Sequence, residues 1–179
     1  MRRRNAGFTL IDAVVSMSLV SILAGIAVPA MQGAAEAARS SAAKGALVES
    51  WIASFTHAAS TGTEVVLCPG DANGCRRNID WSRGWIAFAD LDGDRNRDPY
   101  ETLLKMVAPL EGKVHLRSTV GRTKIVFQPD GSNAGSNLTW TLCDARGHGQ
   151  AVTIVVSNSG RVRTGNPAPA TAQACMAAM

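Results

Sequence analysis

Met1-Arg2-Arg3-Arg4-Asn5-Ala6-Gly7-Phe8-Thr9-Leu10-Ile11-Asp12 opens the chain and leads into an apolar stretch that runs to Ala30. Three arginines stand ahead of a segment in which Asp12 is the only charge. A helix needs about 20 apolar residues, at 1.5 Å rise each, to cross a bilayer, and Phe8 to Val28 supplies them. Arginines before the span hold that side in the cytoplasm and send the rest of the chain outward. A secretory signal carries its small-residue cleavage site after the apolar region, whereas Ala6-Gly7 come before it. A carboxylate in such a span costs roughly 2.5–3.5 kcal/mol on insertion scales and is functional by default. The plainer reading of Asp12 is a residue near enough to the interface to stay hydrated.

Gly7-Phe8-Thr9-Leu10-Ile11, with Pro29 further along, resembles the class III leader of type IV pilins and pseudopilins. The resemblance implies cleavage by prepilin peptidase between Gly7 and Phe8, and N-methylation of Phe8. It implies a leader over residues 1–7, a transmembrane helix over 8–30 and a periplasmic domain over 31–179. The protein would be single-pass in the inner membrane and would enter a pilus on assembly. Pilin-like families usually carry Glu at the fifth position after the cut, where it is thought to neutralise a neighbouring subunit's amino terminus. Asp12 holds that position, one methylene shorter.

The formal charge of +4 comes from 18 basic and 14 acidic side chains among 179 residues. Loss of Arg2, Arg3 and Arg4 leaves 15 against 14, a net of +1. From Phe8 to Thr102 there are 7 Lys/Arg and 11 Asp/Glu; from Leu103 to Met179 there are 8 and 3. A basic C-terminal half points to an acidic or polyanionic partner, set against a plain solvated surface. Cys68, Cys75, Cys143 and Cys175 all lie beyond the span, and an even number in an exported domain favours disulfides. Three pairings exist. We favour Cys68–Cys75, which closes the turn-rich Pro69–Gly74 loop, with Cys143–Cys175, which ties down the tail. A four-thiolate metal site is the weaker reading, since no C-x-x-C pair occurs.

Met31 to Thr61 is rich in Ala and helix formers, with Leu47, Val48, Trp51, Ile52 and Phe55 marking an expected buried face and Gly62 a stop. Residues 62–166 read as short strands between turns: Glu64–Cys68, Trp85–Ala89, Thr102–Val107, Lys113–Ser118, Lys124–Gln128, Leu138–Cys143, Ala151–Ser157 and Arg161–Thr164. With no helical pattern between them, an antiparallel sheet is expected. The fold class is α+β, a long N-terminal helix packed on antiparallel sheet. The tail over 167–179, with Pro167 and Pro169, reads as irregular.

Trp81-x-x-Gly84-Trp85-Ile86-x-Phe88-x-Asp90-x-Asp92-Gly93-Asp94, Phe127-x-Pro129-x-Gly131 and Thr139-x-Thr141-Leu142-Cys143 resemble the FimT/GspH group of minor pilins. The structural reading of Trp81, Trp85 and Phe88 is core packing. Asp90, Asp92, Asp94, Asn96, Asp98 and Glu101 stand at positions 1, 3, 5, 7, 9 and 12 of an EF-hand-like loop, a spacing that suits calcium. Against calcium, Arg95 holds position 6, where the turn wants Gly, and no helix–loop–helix flanks the loop. The favoured reading is a self-neutralised turn with no cofactor.

Gly160-Arg161-Val162-Arg163 lies near the last strand. In an extended chain Arg161 and Arg163 share a face, where each guanidinium can fork onto phosphate oxygens. Paired arginines on an edge strand otherwise discourage aggregation. FimT proteins resembling this chain carry a G-R-x-R element that contributes to DNA binding in natural transformation. The resemblance therefore implies contact with double-stranded DNA, to backbone phosphate and without sequence preference. Lys113, Arg117, Arg122, Lys124 and Arg146, in the basic half of the chain, are candidates to extend the patch, although a sequence does not place them on one surface. Partners would include major and minor pilins. The alternative is a minor pseudopilin of a type II secretion system with a structural, protein-binding role. His57, His115 and His148 show no paired-ligand spacing, and Ser132, Ser157 and Ser159 no nucleophile elbow, so no enzyme is expected.

Overall fold

The computed structural model describes residues 9–134 and 137–177. The first helix, α1, runs Leu10–Thr61 without a break at Pro29, Gly33 or Gly45. Thr9 and Asp12 close its start reciprocally. The Asp12 carboxylate accepts from the Thr9 amide at 3.1 Å and hydroxyl at 2.6 Å, and Thr9 Oγ1 accepts from the Asp12 amide at 3.2 Å. Its end is set by Gly62, at φ 71°, whose amide donates to the Ala58 carbonyl at 3.1 Å.

Contacts divide the chain into two units, the first ending at Ala35 and the second starting at Glu36. In the first, the early part of α1 is long and apolar enough to cross a membrane, and Leu10 to Met31 present exposed apolar side chains.

The second unit carries the remaining elements, all strands pairing antiparallel. These are β1 (Glu64–Asp71), β2 (Gly74–Cys75), β3 (Trp85–Asp90), β4 (Leu103–Val107), β5 (His115–Ser118), β6 (Ile125–Phe127), β7 (Leu138–Cys143), β8 (Val152–Val156), β9 (Val162–Gly165) and α2 (Pro169–Met176). One sheet is ordered β2-β1-β3-β4, with β6 also pairing β1; the other is β5-β7-β8-β9. β1 and β3 are buried on both faces, which is why Val65-Val66-Leu67 and Trp85 to Phe88 show no polar alternation. The core joins Trp81, Trp85 and Leu67 to Leu116, Trp140 and Ile154 of the second sheet. Trp81 meets Trp140 edge-on at 5.3 Å between centroids.

Three expectations need correction. The buried stripe of α1 is Ser40, Ala43, Leu47, Ser50, Ser54 and Ala58, while Ile52 is 51% exposed and Trp51, Val48 and Phe55 are only half-buried. Small residues let the helix backbone approach a core whose volume the sheets already fill with three tryptophans. Ser50 and Ser54 tolerate burial because each hydroxyl donates to the carbonyl four residues back, at 2.7 Å. The tail is also not irregular. Pro169 starts α2, and Ala172 and Cys175 pack on Cys143 and Ala151. Finally β2 went unexpected, and β1 reaches Asp71, because Gly70 and Asp71 pair with Cys75 and Gly74 in a tight hairpin.

Both favoured disulfides are present, Cys68–Cys75 in that hairpin and Cys143–Cys175 fastening α2 to β7. The fully buried Trp85 donates its indole N–H to Ser50 Oγ at 3.0 Å. Ser50→Ala orphans that donor and is expected to lower unfolding free energy by about 1–3 kcal/mol. Ile52→Ala is expected to change it by under about 0.5 kcal/mol. Urea titration of the detergent-solubilised chain checks both.

Candidate functional site

The β8–β9 turn places Arg161 and Arg163. The Ser157 amide donates to the Arg161 carbonyl at 3.0 Å, and the Arg161 amide to Ser157 Oγ at 3.1 Å. Gly160 closes the turn at φ 70°, a conformation that favours glycine. A Cβ there would meet the Gly131 carbonyl at 3.3 Å, Phe55 at 3.7 Å and Trp51 at 3.9 Å. Those half-buried aromatics of α1, stacked at 5.4 Å, thus brace the loop that carries the arginines. Val162 packs on the core, while Arg161 and Arg163 are exposed and, among the described residues, neither takes part in an ion pair. The nearby Asp130 carboxylate turns to the Ser132 amide at 2.8 Å, which helps hold its pKa low.

The other basic candidates scatter. Strand register sets Arg163 opposite Val155, Val155 opposite Thr139, and Arg117 opposite Thr141, so Arg163 and Arg117 share the outer face of the second sheet. They stand three strands apart, roughly 14 Å. Arg117 also caps α2, donating to the Ala174 carbonyl at 3.2 Å. Between them a groove of about 730 Å³ is floored by Thr139, Thr141, Thr153 and Val155 and walled by α2. Arg122 donates to Asn137 Oδ1 at 3.0 Å.

Arg146 forks onto Asp144 at 2.9 and 2.7 Å and also gives it a backbone amide. That pair lies by Ser40 and Glu36 of α1, as does Gly112, next to Lys113. The helix measures the separation. From Glu36–Ser40 to Trp51–Phe55 is about fifteen residues, or roughly 22 Å, so Arg146 and Lys113 sit far from the Arg161 turn. Lys124 precedes β6, whereas the Arg161 turn touches Gly131 beyond its other end. Lys124 instead joins Arg76, Arg77 and Arg97, which the charge balance of the N-terminal half hid, around a separate cavity.

The acidic loop is closed by its own donors. Asp90 accepts the Gly93 and Arg95 amides, Asp92 the Asp94 amide and Tyr100 hydroxyl, and Glu101 the Leu91 and Asp98 amides. Arg95 takes the left-handed φ of 62° at the position where glycine was expected. Asp90, Asp92 and Asp94 each bring one carboxylate oxygen within 4.8 Å of the others, while Asn96 turns to Asp94. Burial raises the Asp90 pKa, against the two amides that lower it. Gly7 and Phe8 lie outside the described residues.

A pilin-like subunit is the class these features define, with a long apolar N-terminal helix, antiparallel sheets and a disulfide-tied C-terminal region. The family described as type II transport protein GspH matches residues 56–160, and the prokaryotic N-terminal methylation motif matches residues 2–28. The chain belongs to that GspH family, as a minor pilin or pseudopilin of the FimT/GspH group. The fold is that of the type IV minor pilin FimU of Pseudomonas aeruginosa, at 11% identity and TM-score 0.56 over 78% of this chain and 92% of that one. A second crystal form of FimU aligns at 11% identity and TM-score 0.45 over 64% and 83%. Comparison with curated protein sequences gives no match.

Burial raises the pKa of the fully buried Asp144 carboxyl, but the hydrogen bonds from Arg146 and Ser40 outweigh it and hold the value low. A depressed carboxyl pKa adds stability above the unfolded value that is lost as pH falls through the folded one. Arg146→Ala is therefore expected to destabilise the fold by about 1–3 kcal/mol at pH 7. The gap from the parent should shrink as the carboxyl is protonated, which denaturant titration from pH 7 to pH 2 checks.

Proposed function

We propose that this minor pilin binds double-stranded DNA without sequence preference, through Arg161 and Arg163, and supports DNA uptake. One observation carries the reading: two exposed guanidiniums, two residues apart and without an ion-pair partner among the described residues, stand on the edge strand β9 and just before it, behind a braced turn. Guanidiniums on one face fork onto successive phosphates, and phosphate contact carries no sequence information. Arg117 shares the sheet face and offers a further contact from the donors that α2 leaves free. Arg146 is removed from the contact set by Asp144, and Lys113 by distance. The role is that of a filament subunit without catalysis, inserted through its apolar helix and processed by prepilin peptidase. Asp12 keeps its proposed part in assembly, since the Thr9 cap engages one carboxylate oxygen, Oδ2. The family's description as a type II transport protein favours a second reading, a pseudopilin that binds protein only.

The full chain in detergent is expected to retard double-stranded DNA equally for unrelated sequences. Arg161→Ala with Arg163→Ala should abolish most of the shift and lower the slope of log affinity against log salt by about 2. Retention by the double variant equal to the parent assigns the chain to the second reading. Gly160→Ala, which strains the left-handed turn by roughly 1–2 kcal/mol, should weaken the shift with both arginines still present.

A further inference from the structure

A second basic site draws three of its four cations from the half of the chain whose net charge is negative and the fourth, Lys124, from the other half. It is a cavity of about 180 Å³, with Arg76, Arg77, Arg97 and Lys124 in its wall beside Asn73 and Thr123. No carboxylate lines it. The walls come from three segments. The Cys68–Cys75 disulfide fixes the hairpin that delivers Arg76 and Arg77, the end of the acidic loop delivers Arg97, and the connection before β6 delivers Lys124.

Backbone carbonyls hold three of the four cations in place. Arg97 Nη1 donates to Ala72 at 2.6 Å, Lys124 Nζ to Arg95 at 2.8 Å, and Arg76 Nη2 to Arg83 at 2.6 Å and Gly84 at 3.1 Å. A carbonyl orients a cation without cancelling its charge. The closest carboxylate contact is Asp71, 3.8 Å from Arg76 Nη1, and among the described residues Arg77 has no ion-pair partner. Asp90 and Asp94 act on Lys124 from outside the lining. The Lys124 pKa is held down by burial first and then by the charges of Arg95 and Arg77, which outweigh the pull of Asp90 and Asp94. The volume equals about six waters at roughly 30 Å³ each, enough for one tetrahedral oxyanion and part of its hydration. Cations from separate segments suit oxygens that point in several directions, as in a tetrahedral oxyanion, whereas the acceptor sites of a carboxylate lie in one plane.

We propose that the cavity bounded by Arg76, Arg77, Arg97 and Lys124 is a phosphate-binding site. It is independent of the Arg161–Arg163 reading, since Lys124 and Gly131 lie at opposite ends of β6.

Calorimetric titration of the detergent-solubilised full chain with inorganic phosphate, at constant ionic strength, tests this. A saturable one-to-one heat is expected. Arg77→Gln with Lys124→Gln should weaken binding about tenfold or more, Arg77→Lys with Lys124→Arg should recover most of it, and Arg161→Ala with Arg163→Ala should leave it unchanged. No saturable heat from phosphate overturns the proposal, as does equal heat from acetate or parent-like binding by the Gln pair. The parent titration decides by itself should the Gln pair not fold. A DNA retardation assay then identifies the source of the phosphate. Weaker DNA binding by the Gln pair assigns it to the nucleic-acid backbone, and unchanged DNA binding with phosphate binding lost assigns it to a free phosphate group.

Discussion

The hydrogen bond from the Trp85 indole to Ser50 ties the helix to the first sheet in one register, and the packing of α1 on the core is arranged around it. Trp85 is fully buried at the start of β3 and its N–H finds an acceptor in a serine that adds no bulk, whereas among the described residues the indole N–H groups of the equally buried Trp81 and Trp140 make no hydrogen bond. The stripe Ser40, Ala43, Leu47, Ser50, Ser54, Ala58 then lies against the tryptophan-rich core, and the larger Trp51 and Phe55 are displaced to its margin. There they still pack on the core and also serve as a brace. Phe55 sits against Gly131 and Gly160, two glycines in left-handed backbone that bring separate turns together. A packing decision on α1 is transmitted in this way to the arginines of the β8–β9 turn.

Electrostatics sorts the basic residues further, by partner as much as by location. Among the described residues Arg146 makes a two-pronged bond to a buried carboxylate, and that geometry removes it from service to a ligand. Arg117 is half-engaged by the end of α2. Arg161 and Arg163 keep their charges for solvent or a partner. Around the hairpin cavity the pattern differs again, because carbonyls position Arg76, Arg97 and Lys124 and leave the charge intact. Net charge by halves of the chain therefore misjudged both regions. It counted Arg146 and Lys113 among the candidates to extend the patch and masked Arg76, Arg77 and Arg97.

Much of the fold was legible because it rests on local signals. Alternation, β-branched runs and turn glycines located eight strands within three residues at either end, and loop chemistry selected the disulfide pairing that occurs. The misread elements share a different cause. Apolar spacing on α1 favoured Trp51, Ile52 and Phe55, since a sequence shows which residues are apolar but not how much room the opposite layer leaves. The tail read as irregular because its prolines stood out. Pro169 in fact sits at the first turn of α2, where a missing amide costs nothing, and Cys175 supplies the anchor. The Thr9-x-x-Asp12 box is a local signal as well, since its two residues cap the start of α1 whatever part the charge of Asp12 plays.

What the sequence determined by itself is class and route. The leader motif, the apolar span with Asp12 as its one charge and the paired cysteines depend on neighbours along the chain and on length against a bilayer. Those relations survive without a fold. Tertiary structure alone decided which charges remain available and where they meet. A guanidinium's use depends on the group across from it, and Asp144 for Arg146, or Ala72 for Arg97, is brought there by strand pairing and disulfide closure. The arginine pair at positions 161 and 163 could be named from the chain. Its support by Phe55, about a hundred residues earlier, exists only because helix and sheets pack.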